Sequence, residues 1–239
     1  MYYWLALPVA FVAVLFGLAY FQPVALMLWL EFVFPRVLWS VRTEERVAAL
    51  TIDDAPSEYT AEILDVLREH GVCATFFVIG SYAVEQGHEI LHRMLAEGHE
   101  LGNHTWDNKP SAFIGSDAFS VSFVDTHKLL TNVIEEHTGE CKQKSLSWFR
   151  PGHGWFHNSM LSFVESFGYR TALGNVYPHD PQIPCTPLNV WHVKRGIRPG
   201  AVVILHDRWH TAATLRSLLP QLKQQGYRLV TLTELAALK

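Results

Sequence analysis

Two adjacent carboxylates end an apolar, strand-like stretch of the chain. Asp53 and Asp54 directly follow the apolar run 47–52, and Pro56 marks a turn after them. Two like charges this close raise one pKa unless they share a cation or a proton. The pair therefore predicts a metal site or acid–base chemistry, although an Asp that only caps the next helix is the alternative.

Further polar side chains stand where other strands end or loops open. His104 follows a short strand, and Arg150 and Asp180 open loops. His206 and Asp207 end a buried apolar strand. Taken singly, each has a structural explanation, such as a surface ion pair for Arg150 or turn chemistry for Asp180. Acids, histidines and an arginine at five strand ends together predict one catalytic site.

These side chains lie in a chain that alternates helix-like and strand-like segments. The predicted helices cover 59–70, 89–97, 121–137, 158–167 and 215–225. Each is followed by a glycine that can adopt a left-handed helix cap: Gly71, Gly98, Gly139, Gly168 and Gly226. The predicted strands between them include 74–79, 100–103, 169–173 and 227–231. Strands that alternate with helices indicate parallel βα units and the α/β class.

The length of this alternating region favours closure of the sheet into a barrel. An open doubly wound sheet is the alternative, but no glycine-rich phosphate-binding loop follows a strand. The carboxyl ends of barrel strands line one mouth, which would bring the polar side chains together. Residues 106–120 show no clear period and are predicted to form a long loop over that mouth.

The amino-terminal segment is apolar throughout. The first charged side chain is Glu31, and residues 4–20 with either flank supply the ~20 apolar residues that a spanning helix needs. We predict a transmembrane anchor over residues 1–22. A cleaved signal peptide is the alternative, but the segment lacks a basic start and a clear cleavage site.

Residues 23–46 are predicted to form a juxtamembrane, interfacial segment before a catalytic domain over residues 47–239. Arg36, Arg42 and Arg46 follow the anchor, and no basic residue precedes it. The positive-inside tendency would therefore hold the domain in the cytoplasm.

The composition limits the classes of function. The chain has 239 residues, of which 49% are hydrophobic and 18% are charged, and this suits one core and one catalytic domain. The net charge of −4 without a basic run excludes a nucleic-acid surface. Cys73, Cys141 and Cys185 allow at most one disulfide and have no metal-binding spacing.

In type and in order, the five polar stretches resemble the motifs of the polysaccharide deacetylases, carbohydrate esterase family 4 with its NodB-homology domain. The matching positions are Thr51–Pro56, His104–Thr105, Arg150–Pro151, Asp180 and Leu205–Asp207. The resemblance covers about residues 47–235. It implies a distorted (β/α) barrel of about seven strands that hydrolyses N-acetyl or O-acetyl groups on sugars with a divalent metal, usually zinc.

Residue by residue, the resemblance implies a metal-assisted hydrolysis. Asp53 would be the general base that deprotonates a metal-bound water, with Asp54 and His104 as metal ligands. His206 would be the general acid that protonates the leaving amine, with Asp207 as a candidate to orient it.

Two further roles follow from the resemblance. Arg150 would hold Asp53 ionised, with Asp180 as a candidate tether for Arg150. A backbone N–H near His153 would join the metal in stabilising the oxyanion.

The chain departs from the family pattern at the metal site. The family has a second histidine four residues after the first, and this chain has Asn108 there. Asn is a weak ligand for zinc, so another group must complete the site or the metal is absent. Asp107 is the nearest candidate, and the carbonyl oxygen of Asn108 is the next. Ala55 and the pair Gly152-His153 also alter the mouth.

Three functions follow from these observations. The favoured one is a membrane-anchored, metal-dependent deacetylase of a chitin-like polymer of N-acetylglucosamine, with its catalytic domain outside the cytoplasm. This placement conflicts with the positive-inside tendency. The second is a metal-independent amidohydrolase on a cyclic imide or ureide, which Asn108 favours. The third is a carbohydrate-binding pseudoenzyme in which aromatic side chains such as Trp106 and Trp155 bind sugar without cleaving it.

Overall fold

The structure is a computed structural model that describes residue 11, residues 14–138 and residues 147–238. The predicted helix stop at Gly139, the cysteine Cys141 and most of the first half of the predicted anchor lie outside these described residues.

The described strands form a single parallel sheet. Its eight strands are β1 Val37–Leu38, β2 Val47–Ala55, β3 Thr75–Val78, β4 Glu100–Asn103, β5 Trp148–Phe149, β6 Arg170–Ala172, β7 Val202–His206 and β8 Arg228–Val230. The order across the sheet is β1-β6-β5-β4-β3-β2-β7. The remaining strand, β8, pairs with the amino-terminal residues of β2, Val47 to Ala49. All nine residues of β2 are buried, because this central strand is covered on both faces.

The sheet curls until its two outer strands meet. Ser40, just after β1, forms an isolated bridge with Ala201 at the start of β7. Next to it, the Val41 N–H donates a hydrogen bond to the Gly200 carbonyl over 2.9 Å. The predicted α/β class and the curled, barrel-like parallel sheet are therefore confirmed in the form of a half-barrel, and the carboxyl ends of its strands share one mouth.

Helices connect the strands along the outside of the sheet. They are α1 Val14–Phe21, α2 Val24–Val33, α3 Thr60–His70, α4 Gly80–Gln86, α5 Glu89–Ala96, α6 Ser116–Thr138, α7 Asn158–Ser166, α8 Thr186–Gly196, α9 Thr211–Gln224 and α10 Leu232–Ala236. Gly71, Gly98, Gly168 and Gly226 have the positive φ that was predicted for helix stops. The predicted loop over 106–120 is shorter, because α6 already begins at Ser116.

The amino-terminal helices pack on the barrel mouth. α1 and α2 meet at a bend of 80°, and no single helix in the described part of the chain is long and apolar enough to cross a membrane. As a pair they meet that criterion by length and composition alone. Met27 is buried in a cluster with Trp39 and Leu173. Residues 23–46 therefore contribute a helix, several core side chains and strand β1 to the fold.

Candidate active site at the barrel mouth

Asp53 and Asp54 both line the cavity at the barrel mouth, although they are neighbours on one strand. Successive side chains of a regular strand point to opposite faces, so some irregularity must turn one of them. Asp54 has a positive φ of 60°, and the register between β2 and β3 shifts between Ile52 and Ala55. This local bulge brings both carboxylates to the same cavity.

Arg150 forms a buried ion pair with Asp53. Its Nη1 donates to Asp53 Oδ1 over 2.5 Å and to Thr51 Oγ1 over 2.7 Å. Nε and Nη2 donate to the carbonyls of Ala172 and Leu173, each over 3.0 Å. The guanidinium is 1% exposed, and every one of its nitrogens has a partner, so the charge opposite Asp53 is fixed in place.

His104 occupies the place next to Asp54. Its Nδ1 lies 2.7 Å from the Arg150 carbonyl, which can only accept, so Nδ1 carries a proton. Nε2 then faces Asp54 Oδ1 at 3.4 Å. Burial opposes the charged form of the imidazole, but the Asp54 hydrogen bond and the charges of Asp53 and Asp54 outweigh it and raise the pKa of His104.

His206 ends β7 beside Asp53 and is oriented by Asp180. Its Nδ1 lies 3.0 Å from Asp180 Oδ1, and its backbone N–H donates to Asp180 Oδ2 over 2.9 Å. Burial opposes the charged imidazole, but the hydrogen bond and charge of Asp180 outweigh it and raise the pKa of His206. We expected Asp180 to tether Arg150, and the structure places it on His206 instead.

Asp207 was the sequence candidate for orienting His206, but it faces the other way. Its carboxylate accepts hydrogen bonds from the hydroxyls of Ser57 and Thr60, at the start of α3. Asp207 directly follows the last residue of β7, where the chain bends toward Ser57 and Thr60. Asp207 therefore fixes the loop after Asp54 and does not contact the imidazole.

Arg208 is a site residue that sequence reasoning missed. Its Nη2 donates to Asp54 Oδ2 over 2.5 Å, and its Nη1 donates to the Asp207 carbonyl over 2.8 Å. Burial favours the neutral carboxyl of Asp54, but the hydrogen bond and charge of His104, with the charges of His206 and Arg208, hold the pKa of Asp54 well below its usual range. A basic residue directly after a strand-end His-Asp pair was the signal that could have found it.

The residues around Asp54 do not fit a tightly bound divalent metal. Asp54 and His104 converge, but the described residues contain no group of three His, Cys, Asp or Glu side chains that could hold an ion. Asn108 lines the cavity with an amide, and Asp107 instead pairs with Lys109 Nζ over 2.7 Å. The guanidinium of Arg208 already takes one carboxylate oxygen, and its charge repels a dication.

These side chains line a cavity of about 580 Å³. Asn108, His153 and Trp155 lie on its rim, whereas Trp106 packs over Gly80 instead. The opposite wall comes from α1, α2 and the bend between them, which sequence reasoning treated as an anchor. Its members are Leu18, Ala19, Gln22, Leu26, Met27 and Leu30.

Comparison with known proteins gives the same assignment as the motifs. The model of the polysaccharide deacetylase family matches residues 40–172. A peptidoglycan-N-acetylglucosamine deacetylase of Bacillus cereus is 33% identical over 210 residues, which cover 85% of this chain and 94% of the relative. The match thus extends over nearly all of a curated relative.

Solved structures of the same fold include an esterase and a pseudoenzyme. A family 4 acetyl xylan esterase from Clostridium thermocellum, in complex with a cobalt ion, has a TM-score of 0.69 and 33% identity over 80% of this chain and 91% of its own. A family 4 pseudoenzyme from Bacillus anthracis has a TM-score of 0.74 and 27% identity over 85% of this chain and 69% of its own. With the family model covering more than half of the sequence, this chain belongs to the polysaccharide deacetylase family.

Proposed function

We propose that this chain is a hydrolase that removes acetyl groups from N-acetylglucosamine units of a polysaccharide or oligosaccharide, such as a chitin-like polymer. The observation that carries the proposal is the pairing of an acid and a base across one cavity. Asp53 and His206 both line it, and each is fixed by its own buried counter-ion, Arg150 for the base and Asp180 for the acid. An inactive binding protein would have no need for two such pairs.

Asp53 acts as the base. Its Oδ1 is held by Arg150, which leaves Oδ2 to accept a proton from a water molecule in the cavity. The water oxygen then attacks the carbonyl carbon of the acetamide, and the carbonyl π electrons move to oxygen. Arg208 and the backbone N–H groups near His153 lie at the same cavity and supply positive charge for that oxygen.

His206 acts as the acid. With Asp180 on Nδ1, its Nε2–H is the proton that reaches the amide nitrogen. The carbon–nitrogen bond breaks as the nitrogen takes this proton, and the products are acetate and an amino sugar. Because Asp180 raises the pKa of His206, the imidazole keeps this proton to higher pH than a free histidine.

The resemblance predicts zinc, which when bound in such enzymes polarises the acetyl carbonyl and activates water. Asp54, His104 and the Asn108 amide oxygen are the donors that zinc would meet here. Because Arg208 competes for Asp54 and Asn108 stands in place of the family's second histidine, the proposed steps run on the protein's own groups. Metal dependence is therefore an outcome to be measured.

A second candidate keeps the same acid and base on another amide. A metal-independent amidohydrolase on a cyclic imide or ureide is favoured by the Arg208–Asp54 pair and by Asn108. The pseudoenzyme from Bacillus anthracis shares the fold, and Trp155 on the rim supports the third possibility of sugar binding without cleavage. The intact pairs on Asp53 and His206 favour the deacetylase over both.

We also propose that the apolar segment before Glu31 attaches the protein to a membrane, with the catalytic domain outside the cytoplasm. The apolar composition of the α1–α2 pair supports this attachment. A polymer substrate of a cell surface supports the placement. Extraction of membranes with alkaline carbonate tests the attachment, because a spanning protein stays in the pellet and a peripheral protein is released.

The activity is tested by acetate release from N-acetylglucosamine oligomers by the full chain, after chelation and then with zinc or cobalt added back. The matched control is Asp53→Asn, which keeps the shape of the site and removes the base. Release by the natural chain but not by the control supports the deacetylase, and the effect of chelation decides the metal. No release in any condition would contradict the proposal for this substrate.

A further inference from the structure

The cavity has two walls of opposite chemistry. The barrel wall carries the charged groups Asp53, Asp54, His104 and His206. The facing wall, formed by residues 18–30, contributes aliphatic side chains and one polar side chain, Gln22. The reacting end of a substrate must lie against the first wall, and the second wall lines the same cavity within reach of the rest of it.

The apolar wall is fixed to the catalytic loop. Gln22 Nε2 donates to the Tyr177 carbonyl over 2.8 Å, and the Tyr177 N–H donates to Gln22 Oε1 over 2.8 Å. Tyr177 belongs to the loop that carries Asp180, and its ring lies 5.6 Å from that of His206. Farther along the wall, Met27 is buried against Trp39 and Leu173. These contacts hold the wall in a defined position beside the site.

This wall offers a sugar almost nothing to hydrogen-bond. Both ends of the Gln22 amide are used on the Tyr177 backbone, and Leu18, Leu26 and Leu30 present only hydrocarbon. A sugar hydroxyl pressed against them would lose water without gaining a partner, which is unfavourable. A hydrocarbon chain in the same place would gain from the removal of apolar surface from water.

The other face of the same helices is apolar as well. Val24, Leu28, Trp29 and Phe32 on α2 are exposed, with Leu28 at 52%. No charged side chain precedes Glu31. A hydrocarbon chain that starts in a bilayer and ends in the cavity would meet apolar side chains along its whole length.

We infer that residues 18–30 form a subsite for an apolar chain, so that the substrate is an amphiphile, an N-acetylated sugar joined to a lipid chain. This inference rests on the proposed deacetylase activity and specifies its substrate class. The acetamide lies between Asp53 and His206, and the lipid chain lies along Leu26 and Leu30. A free sugar polymer leaves this wall without a partner.

The test compares two synthetic glycosides of N-acetylglucosamine, one with a dodecyl and one with a methyl group, on the full chain in phosphatidylcholine nanodiscs. The concentration of the dodecyl glycoside is kept below its critical micelle concentration. We expect its kcat/KM for acetate release to exceed that of the methyl glycoside at least about tenfold, which burial of two methylene groups would supply.

Two matched variants separate the subsite from simple enrichment of the dodecyl glycoside in the bilayer. Leu26→Gln changes the cavity wall, and Leu28→Gln makes the same change on the exposed face. We expect the ratio of the two kcat/KM values to fall several-fold in Leu26→Gln and to stay within about twofold in Leu28→Gln. A natural ratio near one, or an equal fall in both variants, overturns the inference.

A second measurement does not depend on turnover. A dodecyl glycoside with a diazirine at the end of its chain should label residues 18–30 on illumination, and excess dodecyl but not methyl glycoside should prevent the labelling. Labelling without acetate release would leave the subsite in place and contradict the deacetylase. Absence of specific labelling overturns the subsite.

Discussion

The neighbouring carboxylates Asp53 and Asp54 each face an arginine, but the two pairs are built differently. Arg150 approaches Asp53 from inside the barrel, is 1% exposed and is held by two backbone carbonyls from the end of β6. Arg208 approaches Asp54 from the loop after β7, and its side chain is 31% exposed. Apart from Asp54, the hydrogen bonds of its guanidinium go to the carbonyl of the preceding residue.

The difference separates a fixed half of the site from an adjustable half. A guanidinium whose every nitrogen is hydrogen-bonded in the core cannot be moved without breaking several hydrogen bonds, so the position of Asp53 is fixed. Arg208 can move toward solvent at the cost of one ion pair and one hydrogen bond to a backbone carbonyl. The departure from the family pattern, Asn108, also falls on the Asp54 side. The half that holds the proposed base thus keeps the residue types of the family motifs, and the half that would hold a metal departs from them.

The largest expected effect comes from removing the buried member of the first pair. Arg150→Met leaves Asp53 buried without a counter-ion, so we expect a loss of about 3–5 kcal/mol in the free energy of unfolding and loss of acetate release. Urea unfolding and activity measure the two effects. Arg208→Met is the matched control and should cost about 1 kcal/mol, since His104 still faces Asp54. Equal costs for the two variants would contradict the division into two halves.

The next largest effect is expected on the pH dependence of His206, the proposed acid. Asp180→Asn removes the charge that raises the pKa of His206, so the imidazole loses its proton at a lower pH. Because His206 must be protonated to act, activity falls as pH rises through its pKa, and this alkaline limb should move to lower pH. We expect kcat to fall about 10²-fold at pH 7 as well. A pH–rate profile with an unmoved alkaline limb would remove His206 from the role of acid.

A smaller effect should show that the Asp54 side is adjustable. Asn108→His together with Arg208→Met supplies a third ligand and removes the competing cation, so zinc affinity should rise at least about tenfold over the natural chain. Zinc retained after dialysis, measured by elemental analysis, reports this without reference to activity. Asn108→His alone should give an intermediate value. Stoichiometric zinc in the natural chain would show that Arg208 does not exclude the metal.

The smallest effect compares two buried histidines on either end of β4. His104 has a carboxylate beside it and a raised pKa, whereas burial lowers the pKa of His99 to about 4. In the unfolded chain His99 binds a proton near pH 6.5, whereas in the folded chain it does so only near pH 4. The free energy of unfolding should therefore fall by about 1–3 kcal/mol as the pH drops from 6.5 toward 4. His99→Asn keeps an acceptor for the Ala74 N–H and should flatten this dependence. Identical pH curves for both proteins would contradict it.

The sequence was sufficient for what depends on position along a strand. A polar residue at the end of an apolar strand must lie at the barrel mouth, which is why His104, Arg150 and His206 were found together with the two carboxylates. The partners of these residues depend on side-chain direction, and the sequence does not contain it explicitly. For this reason the sequence pointed to Asp207 beside His206, where the structure has Asp180. It also did not reveal that Arg208 pairs with Asp54.

The role of residues 14–33 was missed for a different reason. Their composition fits a membrane, and nothing in the hydrophobic pattern distinguishes a face that meets lipid from a face that meets a catalytic cavity. Only tertiary contacts, such as the Gln22 pair with the Tyr177 backbone, reveal that one side of this segment belongs to the site.

Strand β1 has a consequence for the order of assembly during synthesis. Val37 leaves the ribosome early, but its partner in the sheet is Thr171, which follows only after most of the barrel has been made. A contact between such distant parts of the chain forms late in folding. If the segment before it has already entered a bilayer, the nascent barrel must close onto a strand that is tethered there. The enzyme would then complete its own folding at the membrane surface, and a chain that begins after Val41 would lack β1 and the Ser40–Ala201 bridge on which the barrel closes.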